Sequence, residues 1–342
     1  MKRFLAVDGG ATKTMAAVFS EDLEIRGIGL SGPSNYRNIG EANAIANIKD
    51  ACTKALSMSG IEKRQIDSQI FSIAGVGDSD MATKIVQRIV DKTGFGEFYD
   101  LYNDGEAGFY SRFTGGDAII IAAGTGLISI GRYKDRTNRA SGWGWLVGDE
   151  GGAFYIGMKA ISAFSRISDH RMDFDADLIS LVKDRFHITK ERDIINIIYT
   201  NPINIRRIAS IAAGLSDLAS HGNRTAREIF RSAAREAALN APSIYRYMRM
   251  NGRIRLSGYG GVYRAGDIYW NTIKKTVRAT EKNIDFRKPV FGYHAIVGSM
   301  ALKAMQAGIS IDEKDLDNLI RQVDLLVPDI SEADRKEFLF MP

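Results

Sequence analysis

Cysteine is nearly absent: Cys52 stands alone among 342 residues. A disulfide within the chain is therefore impossible, and so is a zinc or iron–sulfur site built from the thiolates of one chain. Histidine is scarce as well, and His170, His187, His221 and His294 are dispersed without metal-ligand spacing. Charge of neither sign dominates. The 46 basic residues exceed the 41 acidic ones by a formal +5 and are scattered, without the stripe or arm expected for nucleic-acid binding. Long apolar runs are missing too. The longest uncharged stretch, Ala118 to Gly131, is 14 residues broken by glycines, too short to span a bilayer. The apolar start Phe4-Leu5-Ala6-Val7 meets Asp8 after four residues, so no secretory leader is expected. These absences point to a cytoplasmic protein without a nucleic-acid or membrane partner. With 45% apolar and 25% charged residues the composition is that of a globular enzyme, long enough for two cores.

The opening residues predict three strands joined by tight turns, at Phe4 to Val7, Met15 to Phe19 and Ile25 to Leu30. Helical spacing follows at Ala42 to Met58, a strand at Ile70 to Ala74, a helix at Ala82 to Lys92 and a strand at Phe98 to Tyr102. Three strands and then helix–strand alternation predict a β-meander extended into a mixed α/β sheet. Ala118 to Ala123, Gly124-Thr125-Gly126 and Leu127 to Ile130 echo the opening strand, glycine turn and strand, which suggests a duplicated domain. A mostly helical stretch runs from Ala153 to about Met250, with Pro242 predicting a kink or break in its last helix. Strand–turn–helix returns at Arg253 to Thr280, and the chain ends in helical segments. The domain boundary is placed between Asn103 and Gly116, giving domains 1–110 and 111–342, with final helices able to pack back on the first.

Asp8-Gly9-Gly10-Ala11-Thr12-Lys13-Thr14 is the most informative segment. Paired glycines let backbone N–H groups approach an oxyanion, and a hydroxyl and an ammonium add donors. Asp8, at the strand end, suits hydrated magnesium, which takes one or two carboxylates plus phosphate oxygens. A hairpin turn with a solvated lysine is the competing reading. Gly124-Thr125-Gly126 is a second turn of this kind, and Gly258-Tyr259-Gly260-Gly261 follows a further strand, where small residues would admit a flat adenine; ordinary turns compete at both. Asp104, in Asn103-Asp104-Gly105-Glu106-Ala107 after a strand, reads as a base that meets a substrate hydroxyl or as a helix N-cap.

In this order, strand–Asp-Gly-Gly-x-Thr-x-Thr, Asn-Asp-x-x-Ala, Gly-Thr-Gly and Ser-Gly-x-Gly-Gly-Val resemble the actin/hexokinase/heat-shock-chaperone superfamily. Gly142-Trp143-Gly144-Trp145-Leu146-Val147-Gly148-Asp149-Glu150-Gly151-Gly152-Ala153 resembles its N-acetylglucosamine kinase branch, the BadF/BadG/BcrA/BcrD ATPase family, which also holds dehydratase activators and 2-keto-3-deoxygluconate kinases. The resemblance implies two ribonuclease H-like (actin/hexokinase-type) α/β domains with mixed sheets, flanking helices and a cleft between them. It implies ATP and Mg2+ as cofactors, with Asp8 on the magnesium side, reaching the ion through water. It makes Gly9, Gly10, Thr12 and Lys13 phosphate contacts, Asp104 the catalytic base, and Gly124, Thr125 and Gly126 the second phosphate loop. Gly258, Gly260 and Gly261 match the adenosine loop. Asn35 and Asp149 fall where the family touches sugar hydroxyls, with Gly75 lining the same pocket. A homodimer is implied as well. For Asp149-Glu150 an acidic helix start is the competing reading.

Two decoys are set aside. Gly27-Ile28-Gly29-Leu30-Ser31-Gly32 spells a dinucleotide fingerprint but is followed by Pro33-Ser34-Asn35 instead of a helix. Asp173, Asp175 and Asp177 imitate a calcium loop, yet Leu178 stands at its turn glycine, and they read as an acidic helix start. The function expected is an ATP-dependent kinase acting on a small sugar or sugar acid. The alternatives are an ATPase activator of a dehydratase, which lacks its cluster cysteines here, and a sugar sensor without catalysis. Arg37, two residues beyond Asn35, suggests a guanidinium that reads a substrate carboxylate; a solvent-facing loop arginine competes. The acceptor favoured on this ground is 2-keto-3-deoxygluconate, with N-acetylglucosamine or glucose next.

Overall fold

The run Phe4 to Val7 is apolar at every position, which suits a strand covered on both faces. The computed structural model, which describes residues 1–134, 136–200 and 203–339, places it in the middle of a sheet. Contacts divide the chain into two units, one formed by Met1–Gly115 with the segment from Gly292 onward, the other by Gly116–Phe291. The sequence division ran the second domain through 111–342; the contacts return the part from Gly292 to the first unit.

In the first unit β1 (Arg3–Gly9), β2 (Thr14–Ser20), β3 (Ile25–Ser31), β4 (Ser68–Ile73) and β5 (Tyr99–Tyr102) form a sheet in the order β3-β2-β1-β4-β5. β1 runs antiparallel to β2 and parallel to β4, and β4 is parallel to β5. The connecting helices are α1 (Tyr36–Ile39), α2 (Glu41–Ser59), α3 (Asp80–Lys92) and α4 (Asp104–Tyr110). The period of two along β1 divides its side chains. Leu5 and Val7 join Ile48, Ala51, Val86 and Ile89 in one core layer, while Phe4 and Ala6 join the other. α2 lies flush on β3: a Cβ on Gly29 would stand 2.1 Å from the Ala51 carbonyl oxygen, and one on Gly27 2.6 Å from that of Ala55. The glycines of the rejected fingerprint thus serve close helix–strand packing.

The second unit repeats the plan. β6 (Ala118–Ala123), β7 (Leu127–Tyr133), β8 (Arg136–Ser141), β9 (Ile254–Tyr259) and β10 (Ile284–Phe286) are ordered β10-β9-β6-β7-β8. The β6–β7–β8 meander is antiparallel, and β9 is parallel to both β6 and β10. The helices are α5 (Ala153–Ser168), α6 (Ala176–Phe186), α7 (Ile194–Ile198), α8 (Ile205–Ala209), α9 (Ile211–Ser220), α10 (Arg224–Ala238), α11 (Asn240–Tyr247) and α12 (Asp267–Thr280). Ile119, Ile121, Phe164, Phe230 and Tyr269 share its core. α10 stops at Ala238 and α11 restarts at Asn240 with Pro242 in its first turn. A proline ring collides with the carbonyl four residues back, here that of Ala238, so the break precedes the proline. Asp175 caps α6 by accepting the Leu178 N–H, the role expected for that acidic run.

From Gly292 the chain completes the first unit with α13 (Ala295–Gln306), α14 (Glu313–Leu326) and α15 (Glu332–Asp334). Ile296, Val297, Met300, Leu316 and Leu319 cover the sheet face that carries Phe4, Ala6, Met15, Ala17 and Phe19. α13 approaches α4 so closely that a Cβ on Gly298 would meet the Ala107 carbonyl oxygen at 1.7 Å.

Candidate active site

In the first unit three parallel strands end side by side, and the carboxyl ends of such strands are where α/β sheets bind ligands. β1 leads into Gly9-Gly10, β4 into Gly75, and β5 into Asn103-Asp104. A Cβ on Gly9 would stand 2.1 Å from Ser34 Oγ and 2.7 Å from Ile73 Cδ1, so any larger residue there would have to displace both side chains. The Gly10 carbonyl accepts the N–H groups of Ser34 (3.0 Å) and Asn35 (3.1 Å), while the Gly10 N–H donates to the Lys13 carbonyl at 3.1 Å. The turn is thereby locked to the Ser34–Asn35 segment. Ser34 Oγ is buried and has no hydrogen-bond partner among the described residues.

Lys13 Nζ lies 3.2 Å from Asp8 Oδ2, and both side chains are largely buried. Burial raises the Asp8 carboxyl above its ordinary range, opposed by the Lys13 ammonium and its hydrogen bond. Asp104 faces the same turn: a Cβ on Gly10 would stand 3.3 Å from Asp104 Oδ2. Burial, then the neighbouring Asp8 carboxylate, push the Asp104 carboxyl up to about 7, and the Gly105 N–H only partly offsets them. The cap of α4 is Asn103, whose side chain accepts the Gly105 N–H at 2.8 Å in a capping box with Glu106. Asp104 is thus relieved of the capping role that competed for it, although its Oδ1 also accepts the Gly105 N–H at 3.0 Å.

The residues expected to meet a sugar border this group. Asn35 caps α1 by accepting the Arg37 N–H at 3.2 Å. The Arg37 guanidinium lies over the Tyr36 ring, 5.9 Å from its centroid, and its Nη1 is 3.0 Å from Asp78 Oδ2. Gly75 adopts φ +100°, with the Tyr36 ring 3.3 Å from where its Cβ would be. Asn103 Nδ2 donates to the Val76 carbonyl at 2.7 Å and so ties α4 to the Gly75 loop. Asp8, Gly9, Gly10, Thr12, Lys13, Asn35, Arg37, Gly75 and Asp104 therefore belong to one set of neighbouring segments. Ser34, Asp78 and Asn103 were not singled out from sequence. The Asn-x-x-Glu capping box at 103–106 was a signal in plain view; the Arg37–Asp78 pair, 41 residues apart, left none.

The second unit holds the other candidates. Gly124 N–H donates to the Gly126 carbonyl at 3.0 Å, and the first N–H groups of α5, those of Ala153 and Phe154, donate to the carbonyls of Gly124 (2.8 Å) and Thr125 (2.9 Å). The helix end thus holds the turn by its carbonyls. Asp149 is part of this arrangement and lies ahead of α5, whose cap is Gly152. Its Oδ1 accepts the Gly144 N–H at 3.1 Å, and its Oδ2 would be 2.2 Å from a Cβ on Gly126. Burial raises its carboxyl, opposed by the Gly144 N–H. The Gly258 loop sits at the neighbouring strand end. A Cβ on Gly258 would strike the Tyr263 ring at 2.1 Å, and one on Gly260, at φ +123°, the Ala123 carbonyl oxygen at 2.3 Å. Gly261 faces open space. Packing against β6 therefore demands glycine at 260, and the Tyr263 ring demands it at 258.

Among the described residues no cluster of three or more His, Cys, Asp or Glu side chains is built to enclose a metal. The Asp8 carboxylate would suit magnesium instead, which is held by one or two carboxylates and keeps waters and phosphate oxygens as its other ligands. Cys52 is buried in α2.

An N-acetylmuramic acid/N-acetylglucosamine kinase of Clostridium acetobutylicum is 26% identical over 280 residues, covering 80% of this chain and 90% of its own. Among solved structures, a candidate N-acetylglucosamine kinase of Porphyromonas gingivalis matches with a TM-score of 0.70 at 15% identity, over 90% of this chain and 100% of that one. A ROK family glucokinase of Streptomyces griseus, solved with glucose and AMPPNP, matches with a TM-score of 0.56 at 16% identity, over 89% and 99%. At such identities the structural likeness speaks for the fold, two mixed five-stranded sheets flanked by helices of the actin/hexokinase-like kind. The sequence profile of the BadF/BadG/BcrA/BcrD ATPase family matches residues 5–301, and the chain belongs to that family.

Proposed function

We propose that this protein is an ATP-dependent kinase that phosphorylates a hydroxyl of a small sugar or sugar acid. The observation that carries the reading is Asp104: a carboxyl with a pKa near 7, facing Gly10 of a glycine turn that also bears Lys13. A base poised near neutrality accepts a proton from an alcohol as the oxygen attacks, and phosphoryl transfer needs little beyond that, positioning and charge neutralisation. In this reading Asp104 takes the acceptor's hydroxyl proton. Lys13, released from Asp8, meets the transferred phosphate together with Gly9, Gly10 and Thr12. Asp8 holds magnesium, whose charge would offset that of the phosphates. Within the second unit, Gly124-Thr125-Gly126 suits phosphate oxygens, and Gly258, Gly260 and Gly261 suit an adenosine. Asn35, Gly75 and Asp149 address sugar hydroxyls.

For the acceptor we infer a sugar acid, 2-keto-3-deoxygluconate foremost. What supports it is Arg37, beside Asn35, in the company of a carboxylate already, that of Asp78. The Clostridium acetobutylicum relative, named for one acidic and one neutral amino sugar, makes N-acetylmuramic acid and N-acetylglucosamine the next acceptors to try. The test is ADP release with Mg-ATP against hexoses, amino sugars and sugar acids, with Asp104→Asn in parallel. Turnover confined to one acceptor class, and lost in Asp104→Asn while nucleotide still binds, is expected. ATP hydrolysis indifferent to every sugar would replace the kinase by an ATPase activator.

A further inference from the structure

We propose that Asp78 is a built-in competitor for the carboxylate of an acidic acceptor, holding Arg37 until such an acceptor displaces it. The inference rests on the kinase reading for the identity of the acceptor. Arg37 is anchored from its own side: its N–H is bound by Asn35 Oδ1, and its guanidinium lies over Tyr36. Asp78 arrives from a different loop, after Gly75 at φ +100° and Gly77 at φ +78°. That loop has its own supports, the Gly77 N–H on Thr83 Oγ1 at 2.9 Å and the Val76 carbonyl on Asn103 Nδ2 at 2.7 Å. Each loop thus has supports besides the ion pair.

The pair itself is weak and replaceable. Its side chains are 51% and 33% exposed, so solvent screens their attraction, and Arg37 has no other acidic partner among the described residues. Nη1 is the guanidinium atom nearest Asp78, and the Tyr36 side chain holds the guanidinium by a hydrogen bond as well, so an acidic acceptor gains most by meeting it with both oxygens in a two-pronged pair. An acidic acceptor arriving at Arg37 meets the negative charge of Asp78 before it gains both prongs. A neutral sugar meets a pair whose charges already cancel. Asp78 therefore sets how strongly the protein prefers acids. Its removal should improve acid binding, the opposite of what loss of a structural tie would do.

The experiment is calorimetric binding, without nucleotide, of N-acetylmuramic acid, 2-keto-3-deoxygluconate and N-acetylglucosamine, the first and last differing by a lactyl carboxylate. Wild type, Asp78→Asn, Arg37→Gln and the double variant are compared at about pH 8.5, above the value near 7 of the Asp104 carboxyl. Asp78→Asn is expected to tighten both acids roughly threefold to fivefold relative to the neutral sugar. Arg37→Gln is expected to weaken the acids roughly tenfold or more, with the double variant behaving like it. Equal weakening of acids and neutral sugar in Asp78→Asn, or acid affinity indifferent to Arg37→Gln, overturns the proposal. So does a wild type and Asp78→Asn that bind the neutral sugar and neither acid. Turnover on the same proteins separates the two readings. The expected binding pattern without phosphoryl transfer removes the kinase and keeps the competitor; transfer to neutral sugars without acid binding does the reverse.

Discussion

Asp104 opens α4, yet Asn103 does the capping, and this division of labour leaves an aspartate with a carboxyl displaced from its ordinary 3.8 to about 7. Because the base works ionised, turnover should rise with pH through about 7 and then level off, provided the acceptor is saturating. Asp104→Asn should lower kcat by roughly 10² to 10⁴ while ADP affinity, read by calorimetry, holds. Stability should move the other way. A raised pKa means the folded protein grips this proton more tightly than the unfolded chain does, so the contribution of Asp104 to stability falls as pH rises from about 4 to about 7. Above that window Asp104→Asn should melt higher than wild type, and below about pH 4 the two should coincide; a variant that melts lower at pH 8 would show the carboxylate to be a structural tie. In the second unit, Gly126→Ala pushes a methyl to within 2.2 Å of Asp149 Oδ2. We expect the KM for ATP to rise roughly tenfold, and Asp149→Ala added to it to restore most of the nucleotide affinity, since the two sites share one contact. Additive losses would mean that Asp149 does not shape the turn.

At the scale of elements, the glycines of β3 illustrate how a motif is read correctly only with its partner in view. Gly29 faces a backbone carbonyl of α2 at a distance no Cβ tolerates, so Gly29→Ala must pry the helix from the strand. The cost should be about 1–3 kcal/mol, seen as a lower urea midpoint with unaltered KM for ATP in the protein that remains folded. An unchanged midpoint would mean that α2 is free to shift. The strands and helices with strong periodicity were legible in advance: β1 to β7, α2 and α3 lie within a few residues of where apolar spacing put them. β8 was not, because Arg136–Ser141 carries no apolar alternation; it is an edge strand fixed by pairing with β7. β10, three residues long, is likewise defined by its ladder with β9.

For the whole molecule, the shared strand plan of the two sheets, a meander followed by two parallel strands, bears on how each unit folds. The second unit is one continuous stretch, Gly116–Phe291, with its own sheet and core. The first is not: the segment from Gly292 supplies Ile296, Val297, Met300, Leu316 and Leu319 to one face of its sheet. A fragment of residues 116–291 should therefore unfold cooperatively by circular dichroism. Residues 1–115 alone, with Phe4, Met15 and Phe19 uncovered, should not, until a peptide of residues 292–339 is added. If 1–115 folded unaided, the C-terminal helices would be an ornament on the unit instead of half its core.

The amino-acid sequence by itself determined the local chemistry: a strand that needs cover on both sides, glycine turns that free backbone donors, an aspartate at a strand end, and a lone cysteine that bars thiolate clusters. Those follow from composition and short spacing, which act through neighbouring residues. Tertiary structure alone decided what depends on residues far apart in the chain. It paired Arg37 with Asp78, set Asp8 beside Asp104 so that one carboxyl raised the other, laid Asp149 against Gly126, and brought α13 and α14 back to the first sheet. Charge coupling and close packing act through space, and no spacing along the chain records them.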